Sequence, residues 1–193
     1  MENTTALFFI LFTAFAANFI YWIDRNDYRK DRQPQEDKVR YFSKAFLYLQ
    51  VSTLIIAVGS CLWPSGIWLV LFNTPFSVSL GISIISIALA LLYTAKINLG
   101  SNFSPCDDAY VPKDIVQEGL YKYIRHPIYT ANLGIILGAF VMTGSTWLAV
   151  NFFVLLSFYL SSIHKEEEAL SQQFEEYAVY QKKTGKLLPK LNA

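Results

Sequence analysis

The sequence predicts an all-α integral membrane protein with five transmembrane helices, and three observations carry that prediction. The 193 residues are 53% hydrophobic and only 16% charged, poorer in charge than a soluble domain of this size. The apolar residues fall in uncharged blocks, Thr5 to Ile23, Ala45 to Ala95 and Pro127 to Ile163. All 16 lysines and arginines lie in three segments that five crossings would bring to one side of a bilayer.

The first block gives a span near 5–23. Its leading residues include Glu2 and no basic residue, while strong basic charge follows it, so it reads as an anchor rather than a cleaved signal. The segment 24–44 carries Arg25, Arg29, Lys30, Arg32, Lys38, Arg40 and Lys44 among acidic residues around Pro34, the pattern of a solvated, partly helical connector. The second block is too long for one crossing. Trp63-Pro64-Ser65-Gly66 and Asn73-Thr74-Pro75 divide it into spans near 45–63 and 76–97, joined by a short aromatic loop. Thr143-Gly144-Ser145 breaks the third block into spans 127–143 and 146–163, near the ~20 residues that a hydrocarbon core of ~30 Å requires. Lys96, Lys113, Lys122 and Arg125 precede that block, and Lys165, Lys182, Lys183, Lys186 and Lys190 follow it. The N-terminal segment, the 64–75 loop and the 143–145 turn carry no basic residue. The N-terminus is therefore expected outside and the C-terminus in the cytoplasm, against anionic lipid. The whole of 1–193 reads as one multi-pass domain with its working face toward the cytoplasm.

Polar chemistry gathers at the charged ends. The stretch Tyr121 to Tyr129, YKYIRHPIY, sets Lys122, Arg125, His126 and three tyrosines against an apolar run. Alone it reads equally well as an aromatic belt with flanking charges. Gly119 is expected at a positive φ in a turn, and proline suits the first turn of a helix beginning at His126-Pro127. After the last span come His164-Lys165-Glu166-Glu167-Glu168, and Leu170, Phe174 and Tyr177 recur at i, i+4 and i+7. That spacing predicts a helix continuing past the membrane to Thr184-Gly185. Because the 143–145 turn is short, the two charged ends must be neighbours. Arg125-His126 then meets the glutamates in a pocket formed by the 98–129 segment and the 164–190 tail, open to the cytosol. Gly134 and Gly138 form a G-x-x-x-G pair, which points to close helix packing.

Other chemistries lack their signatures. The chain has no G-x-G-x-x-G, P-loop, H-E-x-x-H or G-x-S-x-G. Two cysteines alone make no metal site, and with only two histidines a zinc site would have to recruit carboxylates; Cys61 and Cys106 are expected on opposite sides, which argues against a disulfide. A formal charge of +1 gives no case for nucleic acid, and no obligate protein partner is inferred. Internal repeats and mid-membrane charges, the marks of a transporter, are missing too.

The pattern Gly119 to Tyr129, G-x-Y-x-Y-x-R-H-P-x-Y, followed by the glutamates, tyrosines and Leu188-Pro189, resembles the isoprenylcysteine carboxyl methyltransferases over roughly residues 96–190. The related phospholipid methyltransferases share much of it. The resemblance implies a compact prokaryotic homologue, a membrane enzyme that uses S-adenosyl-L-methionine without a Rossmann domain. It implies carboxyl methylation of a prenylcysteine-like substrate, a lipophilic molecule entering sideways from the bilayer. Methylation of a phospholipid or other lipid amine is the alternative, and an NADPH-dependent membrane reductase or a non-enzymatic scaffold the more distant ones. By that resemblance Arg125, His126 and Glu167 carry the reaction. Lys113, Asp114, Ile115, Val116, Tyr121, His126, Pro127, Ile128, Tyr129, Glu167 and Leu188 line the cofactor, with Glu166 an alternative to Glu167. A glutamate suits ribose hydroxyls or an amino group, and an arginine or histidine suits a carboxylate. Ser161-Ser162-Ile163-His164 stands where eukaryotic members carry an arginine for the prenylcysteine carboxylate, so the methyl acceptor stays open.

Overall fold

Helices account for the regular structure of the computed structural model, which describes residues 2–22, 37–65, 67–100 and 114–190. Along the chain they are α1 (Glu2–Trp22), α2 (Asp37–Leu62), α3 (Pro75–Leu99), α4 (Pro127–Thr143), α5 (Thr146–Gln173) and the short α6 (Tyr177–Lys183), with a 3-10 turn at Gly119–Lys122 before α4. No strand occurs among the described residues, although two isolated bridges do, Val70 with Ser145 and Ile124 with Gly185. Three helices are long and apolar enough to cross a membrane by length and composition: α1 over Asn3–Tyr21, α3, and α5. The stretch Tyr48–Leu62 of α2 and the whole of α4 are shorter apolar helices. Most of the first charged loop, Cys106 and Lys113 lie outside the described residues.

Local chemistry sets the helix ends. Thr74 and Ser77 form a reciprocal capping box at the start of α3, the Ser77 N–H donating to Thr74 Oγ1 at 3.1 Å and the Thr74 N–H to Ser77 Oγ at 3.0 Å. Pro75 and Pro127 each occupy the first turn of their helices, where a missing N–H costs nothing. Gly144 ends α4 in the left-handed region at φ +66, its N–H donating to Phe140 O at 2.7 Å. A side chain there would collide with the Phe72 carbonyl.

Packing runs on small residues. The axes of α3 and α4 approach closely because Gly81 and Gly138 face each other. A Cβ on Gly138 would stand 2.6 Å from Ile85 Cγ1, and one on Gly81 would stand 2.5 Å from Met142 Cβ. Around this seam Ala6, Ile10, Ala57, Cys61, Val78 and Ala139 are buried, while Phe8, Phe15, Ile87 and Phe153 point outward and are exposed. Such an arrangement, small inside and large apolar outside, suits hydrocarbon surroundings, where dispersion rather than water drives helix association. A second core, Tyr129, Leu133, Ile136, Leu155, Tyr159 and Ile163, fills the seam between α4 and α5.

Two helix boundaries differ from the sequence expectation. The backbone of α2 is helical from Asp37 rather than from near 45, since no glycine or proline interrupts 37–44. The helix expected to run unbroken to Thr184 instead stops after Gln173, with Phe174 extended at φ −124, ψ 110, and resumes as α6. A straight helix rises ~1.5 Å per residue and would carry Tyr177 and Tyr180 away from α4. The break folds them back, and both are buried.

Candidate functional site

The site begins with the turn before α4. Gly119 sits at φ +56, and Asn98 at the end of α3 accepts the Leu120 N–H at 3.0 Å through Oδ1, leaving no room for a side chain on Gly119. The chain then runs beside the tail that follows α6. Gly185 N–H donates to Tyr123 O at 3.1 Å, Arg125 N–H to Gly185 O at 2.9 Å, and His126 N–H to Lys186 O at 3.1 Å. Thr130 adds its hydroxyl to Leu187 O at 2.6 Å. Residues 184–187 are thus a strap hydrogen-bonded across the start of α4.

Beneath the strap, α6 presents tyrosines. Tyr180 donates its hydroxyl to Tyr121 O at 2.6 Å, and the Thr184 hydroxyl donates to Tyr180 O at 2.7 Å. Burial pushes the Tyr180 phenol up to about 12, and it raises Tyr121 and Tyr177 as well. These phenols are therefore hydrogen-bonding groups, not proton carriers, at neutral pH.

The charged groups meet beyond the apolar part of α5. Arg125 donates from Nε to Glu167 Oε1 at 2.7 Å, and from Nη1 to the carbonyls of Gln181 (3.2 Å) and Thr184. Its guanidinium thereby holds the carboxyl-terminal end of α6 as well as the glutamate, a placement the helix dipole favours. Lys186 Nζ lies 3.4 Å from Glu167 Oε2. His126 stands between two carboxylates, with Nε2 3.2 Å from Glu167 Oε1 and Nδ1 3.7 Å from Glu166 Oε2. Burial would raise the Glu167 carboxyl, but hydrogen bonds from His126 and Arg125, with their charge, outweigh it and hold the group at about 2. Glu167 is an anion at any physiological pH.

Glu166 has other company. Tyr129 donates its hydroxyl to Glu166 Oε2 at 3.3 Å. The Tyr129 ring stacks with His126 (centroids 5.6 Å, 17°) and with Tyr159 (4.7 Å, 23°). An open cleft of about 440 Å³ is lined by His164, Glu167, Glu168, Ser171, Gln172 and, from α6, Gln181.

Of the residues singled out in the sequence, the structure brings Arg125, His126, Glu167, Tyr121, Pro127 and Tyr129 into one buried or half-buried cluster, with Ile128 half-buried beside them. Ile115 and Val116 are half-buried in the segment that leads to the Gly119 turn, and Asp114 and Leu188 are exposed. Sequence reasoning did not single out Lys186, Gln181, Thr130 or Thr184. A signal existed in Lys183-Thr184-Gly185-Lys186, where a glycine follows a helix and a lysine follows the glycine. Among the described residues no group of three or more His, Cys, Asp and Glu side chains could hold a metal ion.

Residues 76–177, more than half of the chain, match the phospholipid methyltransferase family. A cobalt-zinc-cadmium resistance protein, CzcN, from Cupriavidus metallidurans is 38% identical over 81 residues. The shared stretch covers 40% of this chain and 37% of that protein, so the chain spans little more than a third of its relative's length. The chain belongs to the phospholipid methyltransferase family, whose members in general depend on S-adenosylmethionine. With its long apolar helices it is an integral membrane protein of that methyltransferase family.

Proposed function

We propose that this member of the phospholipid methyltransferase family transfers a methyl group from S-adenosylmethionine to the amine of a lipophilic acceptor at the cytoplasmic face of a five-span bundle. The single observation that carries the choice of acceptor is the distribution of charge. Arg125 and Lys186 are directed at Glu167, His126 is shared between Glu167 and Glu166, and Glu166 stays half-exposed. A carboxylate acceptor needs a cation to dock against, and an amine needs a carboxylate. The prenylcysteine-like acceptor remains as the second reading, on the strength of the Gly119–Tyr129 motif.

The donor set suits the cofactor. The cleft onto which Glu167 opens offers two carboxylates, an imidazole, a hydroxyl and two amides, among them groups that match ribose hydroxyls and an amino group. Glu167 would hold it from the cleft, with Tyr121, His126 to Tyr129, Lys113 to Val116 and Leu188 lining the remainder. When bound, S-adenosylmethionine supplies an electrophilic methyl on a positively charged sulfur. Arg125 keeps Glu167 ionised and fixes the strap. His126, pinned by both glutamates, keeps one ring nitrogen toward each of them. An amine must lose a proton before it attacks, and on the half-exposed Glu166 side of the site bulk water can take it. Alignment of acceptor and methyl supplies most of the acceleration expected of such a site.

Isothermal titration with S-adenosylhomocysteine and with NADPH tests the cofactor. Methyl label transferred to phosphatidylethanolamine or to an S-farnesylcysteine analogue in mixed micelles tests the acceptor. Binding of S-adenosylhomocysteine alone, with label in the aminolipid, is the expected result. NADPH binding without S-adenosylhomocysteine binding would sink the methyltransferase reading, and label only in the farnesylcysteine would transfer it to the carboxylate acceptor.

A further inference from the structure

Glu166 and Glu167 are adjacent on α5 yet face different partners. Glu167 lines the cleft and is enclosed by Arg125, Lys186 and His126 Nε2. Glu166 lies outside the cleft lining, its side chain 47% exposed. It accepts a hydroxyl from Tyr129, 3.3 Å away, and faces His126 Nδ1. Tyr121 from the turn and Tyr177 from α6 also feel its charge. His126 is the one described side chain that the ion-pair geometry puts between the two carboxylates.

Resting on the methyltransferase reading above, we propose that the two glutamates divide the reactants: Glu167 serves the methyl donor from the cleft, and Glu166 is the specificity-determining residue that faces the acceptor nitrogen. Tyr129 is its positioning residue. The Tyr129 ring is buried and stacked with His126 and Tyr159, and its hydroxyl is the part that reaches Glu166 and orients it. The chemistry rewards such a division. An acceptor ammonium is drawn to Glu166 and gives one proton to bulk water on its exposed side. The nitrogen lone pair then forms the N–C bond as the C–S bond breaks, the bonding pair leaving on sulfur as a neutral thioether. Positive charge passes from sulfur to nitrogen. A carboxylate fixed beside the nitrogen rather than beside the sulfur favours that movement.

The test separates the two glutamates in the full-length protein in detergent. S-adenosylhomocysteine titration and steady-state methylation of phosphatidylethanolamine are measured for wild type, Glu166→Gln, Glu166→Asp and Tyr129→Phe. Glu166→Gln is expected to keep S-adenosylhomocysteine affinity within about threefold and to raise KM for the aminolipid about tenfold or more, the loss of roughly one charge-assisted contact. Glu166→Asp recovers part of that KM. Tyr129→Phe moves KM in the same direction by a few-fold, and adds little in the Glu166→Gln background. Loss of S-adenosylhomocysteine binding in Glu166→Gln would make Glu166 a donor ligand and overturn the division. An unchanged aminolipid KM would overturn it too, as would a wild type that methylates only the farnesylcysteine analogue. A wild type that binds no S-adenosylhomocysteine defeats the underlying reading instead, and this inference with it.

Discussion

The hairpin of α4 and α5 is closed at both ends by the same device with opposite chemistry. At the turn end the loop before α3 lies against Gly144-Ser145-Thr146 through the Val70–Ser145 bridge. Leu71 N–H donates to Gly144 O at 2.9 Å, Ser145 Oγ to Trp68 O at 3.1 Å, and Trp147 Nε1 to Ile67 O at 2.7 Å. Every one of those groups is neutral. At the site end the strap after α6 lies against the residues before α4 through the Ile124–Gly185 bridge, and there Arg125, His126, Lys186 and Glu167 are added. Neutral backbone bonds therefore suffice to close a hairpin end. Buried ion pairs are no better than apolar packing for stability once desolvation is counted. The ionic part of the site end is thus best explained by what it binds.

Removing Glu167 should give the largest effect and breaks the comparison most directly. Glu167→Ala is expected to lower methyl transfer by more than about a hundredfold and to abolish S-adenosylhomocysteine binding, with the bundle still folded. Stability should drop by about 3–5 kcal/mol at the site end, because Arg125 is left buried without its carboxylate. The double variant Arg125→Met/Glu167→Leu should recover much of that stability in a thermal melt, but none of the binding. Recovery of both would mean that the ion pair is only scaffolding.

Glycines offer a matched pair of intermediate size. Gly144→Ala at the turn end puts a side chain at φ +66 and against the Phe72 carbonyl, a strain of about 1–3 kcal/mol. Its melting temperature should fall while kcat/KM per folded molecule stays at the wild-type value. Gly185→Ala at the site end crowds the Leu188 carbonyl inside the strap. There the S-adenosylhomocysteine affinity should fall along with the melting temperature. If Gly144→Ala also weakens that affinity, the two ends are coupled through α4 and the separation drawn above fails.

The helices were legible because membrane spans are written in composition: an uncharged run, a Thr-Pro or His-Pro start and a glycine stop. The neighbourhood of Arg125, His126 and Glu167 was legible for a topological reason, since a short turn at Gly144 forces the two ends together. What could not be read was the break at Phe174. No glycine or proline marks it, and the apolar i, i+4, i+7 spacing through Tyr177 argued for a continuous helix. Tertiary contacts decide it, as Tyr180 finds the Tyr121 carbonyl and Arg125 finds the last carbonyls of α6. The same limit hid Lys186, which in the sequence is one basic residue among several in the tail. It also hid the rings stacked with Tyr129, because spacing on a helix does not tell what stacks on a ring.

Lys186 and Arg125 contact the same carboxylate, and the smallest expected effect follows from how differently they are exposed. The Arg125 side chain is 8% exposed and the Lys186 side chain 41%. Arg125 is fixed by further bonds to Gln181 O and Thr184 O, whereas the ammonium of Lys186 ends a flexible stem and stays in contact with water. Exposed pairs are worth roughly 0–1 kcal/mol, since solvent screens them and ordering the side chain costs entropy. Lys186→Met should therefore shift stability by less than about 1 kcal/mol, a change added salt would reproduce in the wild type and not in the variant. The discriminating measurement is the melting temperature of both proteins across a salt series in detergent. A loss of several kcal/mol in Lys186→Met, insensitive to salt, would mean that Glu167 needs two equal cations. The strap would then be held by charge at both its edges rather than by the Arg125 clamp alone.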